Sequence, residues 1–296
     1  MISIIVSTYK PNNFKTFSEN IKQTIGVEYE VIAIENPGIM GLCEAYNKGI
    51  SKAKYPYLCF SHDDIKINTP NWGKIIVDQF TENRDTGIIG IAGEGYKPWV
   101  PTGWFFSFES ISRRINITQV CTDKNVNKVY YNPQNKTSDN TLIVDGCWFC
   151  TTKKIAEEFH FDESIFKGYH CYDIDFSLQV SQKYEVLISY IIDIEHFSYG
   201  SYSKDWIAET FKFHKKWKSL LPLSYHSISK EEIANNEFHA FCYILSEAVK
   251  SRTHLWEILD LLYSFRLLQL IGLRKWIKLH TYTWSAILRR VINKNN

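Results

Sequence analysis

No GxxxxGK[ST] run occurs in the 296 residues, which excludes a P-loop nucleotide site. Gly90, Gly93 and Gly95 are spaced GxxGxG and not GxGxxG, and no clear helix start follows them. That spacing rejects a dinucleotide-binding turn; these glycines are expected to permit close backbone approach near a ligand. Internal repeats and low-complexity tracts are also missing. In the apolar C-terminal third, charges interrupt every stretch well before 18 residues, so no membrane-spanning helix is expected. MISIIVSTYK has no basic segment ahead of a cleavable apolar one, which points away from a signal peptide and towards the cytoplasm. Acidic residues vanish from 261 to 296, where seven basic residues stand, leaving 27 basic against 32 acidic elsewhere, a formal −5. A weakly acidic body with a basic tail is not the charge pattern of a nucleic-acid binder.

The seven cysteines are an odd number, and Cys59, Cys147, Cys150 and Cys242 lie within apolar runs. They read as reduced thiols packed as small hydrophobes and not as a disulfide framework. Cys147 and Cys150 form a CxxC on a predicted strand, where residues three apart face opposite ways, so neither zinc nor redox chemistry is expected of them. What remains is globular: 45% apolar, 22% charged and 15% aromatic residues, enough for one large α/β domain or a medium one with a smaller companion. The 9 Trp, 18 Tyr and 18 Phe supply rings that bury area and also stack on bases and sugars.

The first hundred residues alternate in a βα rhythm. Short apolar runs at 2–7, 30–34, 57–61 and 88–92 read as buried strands, with helices predicted over 13–24 and 42–53. Thr69 and Pro70 are predicted to open a further helix, Thr as N-cap and Pro in the first turn. This pattern implies an α/β fold, a mostly parallel sheet flanked by helices. Residues 97–141 break into aromatic and polar residues and are expected to be a loop-rich insertion. Strand character resumes at 142–151 and again at 186–194. After about residue 202 the chain is predicted helical, with capping-box spacing at Ser229 to Glu232 and Thr253 able to cap a later helix. A boundary near residue 200 therefore separates residues 1–200 from a helical C-terminal region, 201–296.

Three clusters could carry chemistry. His62-Asp63-Asp64 follows an apolar strand, and in open α/β sheets ligands bind at the carboxyl ends of strands. Adjacent acids there repel unless they are solvated or hold a cation, and a hard divalent ion would bridge their oxygens to phosphates; the bland alternative is a solvated turn. Tyr172-Asp173-Ile174-Asp175 opens a predicted helix, whose first turn welcomes acids on structural grounds alone. Glu195-His196 ends the last strong strand, and a lone histidine there is more often a structural hydrogen-bonder than a metal ligand.

Taken together, these segments resemble the GT-A type glycosyltransferases of the large inverting family 2 group, and most closely a bacterial subgroup with His-x-Asp in place of Asp-x-Asp. IIVSTYKP resembles the opening strand, whose end (Ser7, Thr8, Tyr9) contacts the nucleotide. EVIAIENPG resembles the second strand, with Glu35 facing the base. LCEAYNKGISKAKYPYLCFSHDDI resembles the donor-binding helix, including Asn47, running into the metal motif. HFDESIFKGYHCYDIDFSLQV resembles the segment bearing the catalytic acid. The resemblance covers about residues 1–200. It implies Asp64 and His196 as metal ligands, His62 and Asp63 on the donor, Asp173 as catalytic base, and Asp145 and Tyr172 at the acceptor or donor sugar. It departs from the family at His62 and at Tyr172, where most relatives carry acids.

The implied reaction is transfer of a hexosyl or related unit from a nucleotide-diphosphate sugar, most commonly a UDP-sugar, to a saccharide or lipid-linked saccharide. It would use Mn2+ or Mg2+, invert the anomeric centre, and serve bacterial surface polysaccharide synthesis. Two rival readings stand beside it: a non-catalytic GT-A domain that binds nucleotide or sugar, and a sugar-phosphate nucleotidyltransferase. The second lacks its glycine-rich basic signature, since STYKPNNF stands in that place. Residues 255–296 interleave Trp, Leu and Ile with Arg and Lys, a pattern suited either to an anionic membrane face or to packing, including a homodimer.

Overall fold

Leu42, Ala45, Tyr46, Gly49 and Ile50 recur at helical spacing, and that stripe is the buried face of one helix over the first strand. The computed structural model describes residues 1–105, 112–120, 126–198 and 202–292. In chain order the described elements begin with β1 (Ile2–Thr8), α1 (Pro11–Thr24), β2 (Tyr29–Glu35), α2 (Leu42–Lys52), β3 (Tyr57–Ser61), β4 (Ile65–Ile67) and α3 (Trp72–Glu82). They continue through β5 (Thr86–Gly90), β6 (Ala92–Glu94), β7 (Tyr96–Lys97), β8 (Arg113–Val120), β9 (Val126–Tyr131), β10 (Ser138–Thr141), β11 (Ile143–Val144) and β12 (Trp148–Thr152). Then follow α4 (Lys153–Phe159), α5 (Tyr172–Ser181), β13 (Glu185–Ser189), β14 (Ile194–His196), α6 (Lys204–Trp217), β15 (Leu223–Ser224), α7 (Lys230–Ser251), α8 (Leu255–Leu262) and α9 (Phe265–Ile292).

These elements form two compact units: residues 1–95 with 112–198, and residues 96–105 with 202–292. The first is an α/β unit built on a seven-stranded sheet in the order β10-β13-β5-β12-β3-β1-β2. β1 runs parallel to β2 and β3, and β13 parallel to β5, whereas β12 enters antiparallel between β3 and β5. The sheet is thus mixed, with its parallel character on either side of β12. Gly49 of α2 lets that helix lie directly on Ile5, where a Cβ would collide with the isoleucine side chain. Beneath the carboxyl ends of the strands, Phe161 stacks on Phe176 with centroids 4.5 Å apart, and Tyr46, Phe60 and Phe149 complete an aromatic floor. Each such ring pair adds about 0.5–1.5 kcal/mol beyond the area it buries.

A second, smaller sheet takes the order β11-β6-β8-β14-β4, with β9 on β8. It corrects the reading of residues 97–141 as loop-rich, because β8 is the middle strand of this sheet. The signal was masked by charge: Arg113 and Arg114 are buried on β8, Arg114 against Asp139 at 2.5 Å and Arg113 beside Glu94. The predicted strands at 142–151 and 186–194 each break in two, and each break carries the chain between the two sheets. Gly90, Gly93 and Gly95 lie against Val144, Ile143 and Ser112, so their close approach is strand to strand. Thr69 does not cap a helix. Its hydroxyl donates to the Ile191 carbonyl and accepts from the Asp193 amide, and α3 opens two residues later, after Asn71 in the left-handed region (φ 56°).

In the second unit, Ser229 and Glu232 form the expected capping box of α7. α8 follows His254 in the left-handed region, not a Thr253 cap. Glu237 of α7 is fully buried and accepts from Tyr96 Oη (2.7 Å) and the amides of Trp99 (2.8 Å) and Val100 (3.0 Å). This ties 96–105 to the helices that follow a hundred residues later. No described helix is long and apolar enough to cross a membrane.

Candidate active site

Strand register brings distant residues together at the edge of the two sheets. β4 and β14 pair antiparallel with His196 opposite Ile65, and the Phe197 amide donates to the Asp64 carbonyl at 2.9 Å. His196 is thereby fixed beside Asp64, 132 positions earlier in the chain. The His196 Nε2 lies 3.5 Å from Asp64 Oδ1, and His62 Nδ1 lies 3.8 Å from the same oxygen. One ligand atom from each of His62, Asp64 and His196 fits within 4.8 Å of the others. Both ring nitrogens of His196 and Oδ1 of Asp64 are shut off from solvent and have no hydrogen-bond partner.

Buried polar atoms left unpaired cost about 1–3 kcal/mol each, more when charged. Burial pushes the Asp64 carboxyl up, but the two histidines outweigh it and hold it below its ordinary range. Burial, and then the neighbouring His196, push His62 down towards its neutral form. Two imidazoles and a carboxylate, with Asp64 Oδ1 and both His196 nitrogens buried and unpartnered, are a donor set that suits a divalent cation, so the residues fit a metal.

The turn between β11 and β12 forms the other half of the site. The Gly146 amide donates to Asp173 Oδ2 at 2.9 Å, and the Cys147 amide to Asp145 Oδ1 at 2.8 Å. Asp173 stands in the first turn of α5, where the helix terminus favours a negative charge. Burial wins nonetheless: with the Asp145 charge adding to it, it pushes the Asp173 carboxyl up to about 7. Tyr172 donates its hydroxyl proton to the Gly146 carbonyl at 3.0 Å and stands 2.9 Å from His62 Nε2. That oxygen has one proton and has spent it, so His62 must donate from Nε2. The Nδ1 lone pair is then the one turned towards Asp64. Gly146 makes this possible, because a Cβ there would run into the Tyr172 phenol.

At the end of β1, Thr8 Oγ1 donates to Asp63 Oδ2 at 2.5 Å, drawing Asp63 to the neighbouring strand. Glu35 is exposed and pairs in register with Thr8, and Tyr9 is exposed beneath the Lys10 ammonium. Ser7 Oγ accepts from Asn36, whose carboxamide also takes the amides of Ile39 and Met40. Ser7, Thr8, Tyr9 and Glu35 therefore gather at adjoining strand ends. Asn47 does not join them: its carboxamide is bound to the Phe161 backbone and to Glu163. Asn36 and Gly146 were not singled out in the sequence. Asn36-Pro37-Gly38 is a turn sequence, which hints at the first, and nothing local marks the second.

A family profile described as "Glycosyltransferase like family" matches residues 3–216, more than two thirds of the chain. The chain belongs to this glycosyltransferase-like family. Among solved structures, Staphylococcus aureus TarS residues 1–349 in complex with UDP superposes with a TM-score of 0.58 at 11% identity, covering 98% of this chain and 88% of that one. The same TarS fragment without that ligand in its description gives 0.55 at 11% identity over the same shares. GalNAc-T7 with UDP, GalNAc and Mn2+ gives 0.48 at 11% identity, over 68% of this chain and 44% of its own. Curated protein sequences give no significant match.

The architecture of this glycosyltransferase-like protein is accordingly GT-A-like, an α/β fold with mixed sheets and C-terminal helices. Its two clusters adjoin each other. His62, Asp64 and His196 can hold a cation, and Asp173 is a carboxyl that gains or loses a proton near neutrality. Tyr172 joins the two, neighbouring Asp173 in sequence and touching His62 through its hydroxyl.

Proposed function

We propose that this protein is a metal-dependent inverting glycosyltransferase with its catalytic machinery in residues 1–200. In this reading it moves a hexosyl or related unit from a UDP-sugar to the hydroxyl of a saccharide or lipid-linked saccharide acceptor, in the cytoplasm, for surface polysaccharide synthesis. The observation that carries the reading is the His62–Asp64–His196 trio, with Asp64 Oδ1 and both His196 nitrogens unpartnered, standing one residue's reach, through Tyr172, from a carboxyl poised near pH 7. The UDP bound by the TarS fragment favours uridine as the donor nucleoside.

Ser7, Thr8, Tyr9 and Glu35 receive the nucleoside at the ends of β1 and β2, with Asp63 held against Thr8 to face the ribose. Asp64, His196 and His62 would hold the cation, which when bound supplies positive charge against the diphosphate as it leaves. Two imidazoles in the donor set favour Mn2+ over Mg2+, which prefers oxygen and water. Asp173 takes the proton of the acceptor hydroxyl as that oxygen attacks, a general-base contribution of roughly 10²–10⁴-fold. The Gly146 amide keeps the carboxylate oriented, and burial, with Asp145 beside it, keeps its basicity high. With a single base and no covalent nucleophile, attack comes from the face opposite the leaving group and inverts the anomeric carbon.

Calorimetric titration of UDP with and without Mn2+ tests the donor half of this reading. Binding should tighten strongly with Mn2+ in the wild type and lose that dependence in Asp64→Ala. Equal UDP affinity in both proteins with Mn2+ present would reject the assigned metal site.

A further inference from the structure

The second unit carries a feature that glycosyl transfer does not use. At Gly272 the backbone turns to φ 75° and ψ 161°, so α9 restarts after it. On the restarted segment Leu273, Ile277, Trp284 and Leu288 recur in steps of four, seven and four, the spacing of one helical stripe. All four side chains are exposed, by 63%, 53%, 38% and 56%. Beside this stripe, α9 and the end of α7 enclose a groove of about 880 Å³. Lys250 and Arg252 line it from the α7 end, Lys278 and Arg289 from α9, with the hydroxyls of Thr281 and Ser285 between them. Lys250 is held by Glu247 at 2.7 Å. Among the described residues no carboxylate pairs with Arg252, Lys278 or Arg289.

We propose that this groove and stripe form a docking surface for an anionic lipid bilayer, with lipid phosphates in the cationic groove and the apolar stripe sunk among the acyl chains. Exposed large hydrophobics in a row beside cations and hydroxyls match a headgroup–acyl boundary, where an amphipathic helix lies in the plane of the membrane. Charge argues against a second copy of the chain as the occupant. A symmetric dimer through this face would set Arg252, Lys278 and Arg289 against their own copies. Phosphate alone would satisfy the groove but would leave the stripe in water. The inference does not depend on the glycosyltransferase reading.

Co-sedimentation of the full chain with vesicles tests it, comparing phosphatidylcholine alone with phosphatidylcholine containing phosphatidylglycerol. The expected result is binding to the anionic vesicles that weakens with salt, with little binding to the neutral ones. Each basic residue near an anionic surface contributes on the order of fivefold in partition. The double variant Lys278→Glu/Arg289→Glu should therefore lose roughly tenfold or more, and Ile277→Ser/Leu288→Ser should lose binding without changing its salt dependence. These side chains are exposed, so circular dichroism and UDP binding should match the wild type. Absence of binding to anionic vesicles would overturn the proposal. So would binding that survives both double variants, complete displacement of the wild type from the vesicles by millimolar inorganic phosphate at constant ionic strength, or a dimer in light scattering that Leu288→Ser dissolves.

Discussion

The hydroxyl of Tyr172 stands 2.9 Å from Nε2 of His62 while giving its own proton to the Gly146 carbonyl, and this fixes which nitrogen of His62 bears hydrogen. The unprotonated Nδ1 is left on the side of Asp64. Under the resemblance drawn from the sequence, Tyr172 and His62 are the two positions that depart from an expected acid. The two departures are complementary, since a histidine ligand needs a partner for its second nitrogen.

Tyr172→Phe removes that partner and leaves a buried carbonyl unpaired. Loss of such an outer partner typically costs 10–100-fold in metal affinity, and that is the expected fall in Mn2+ affinity by calorimetric titration. The unpaired carbonyl should lower stability by about 1–3 kcal/mol. Unchanged Mn2+ affinity would mean that His62 is not a ligand.

Asp173 should set the pH dependence. Its carboxyl is raised to about 7 in the folded protein, against an ordinary value of about 3.9. A carboxyl raised in this way favours the folded state below about pH 4, and that contribution is lost as the pH rises through 7. Asp173→Asn should therefore melt with the wild type near pH 4 and above it at pH 8, by an amount equivalent to a few kcal/mol. Turnover per bound donor should rise with pH through about 7 in the wild type and be lost in the variant. A melting difference that is the same at both pH values would contradict the assignment.

Chelation should abolish donor turnover, and Mn2+ should restore it better than Mg2+ because two of the three donors are imidazoles. In His196→Ala the preference for Mn2+ should narrow as the site loses a nitrogen. Equal restoration by both metals in the wild type would show that the histidines do not coordinate.

Gly146→Ala drives a methyl group into the Tyr172 phenol. Overpacking of this kind costs about 1–3 kcal/mol. The displaced turn should also loosen both the His62 contact and the amide held on Asp173. Mn2+ affinity and turnover are expected to fall together in this variant, whereas Asp173→Asn should lower turnover and leave Mn2+ affinity near that of the wild type. Titration and a turnover assay on the two proteins separate these outcomes.

The local rules read well where local physics governs. Residues 57–61 form a strand with the predicted bounds, and the capping box at Ser229 and Glu232 is present because its two hydrogen bonds lie within one turn. β8 escaped notice because its buried positions include Arg113 and Arg114, whose cost is offset by Glu94 and Asp139 from other strands. Thr69 carries the local signature of a cap, but the chain at 191–193, which takes its hydroxyl, lies more than 120 positions away. The proximity of His196 to Asp64 likewise depends on the register of β4 against β14, a pairing between sheet partners that no window of sequence contains. Asn47 lies on the predicted helix, yet its carboxamide serves the Phe161 backbone, an assignment that only tertiary packing could make.

The most direct test of glycosyl transfer is nucleotide-diphosphate release across a panel of UDP-, GDP- and dTDP-sugars with Mn2+, comparing wild type with Asp64→Ala and Asp173→Asn. The expected result is slow metal-dependent release from one UDP-sugar, lost in both variants. Release that survives Asp64→Ala, or no release together with no nucleotide binding in the presence of Mn2+, would contradict it.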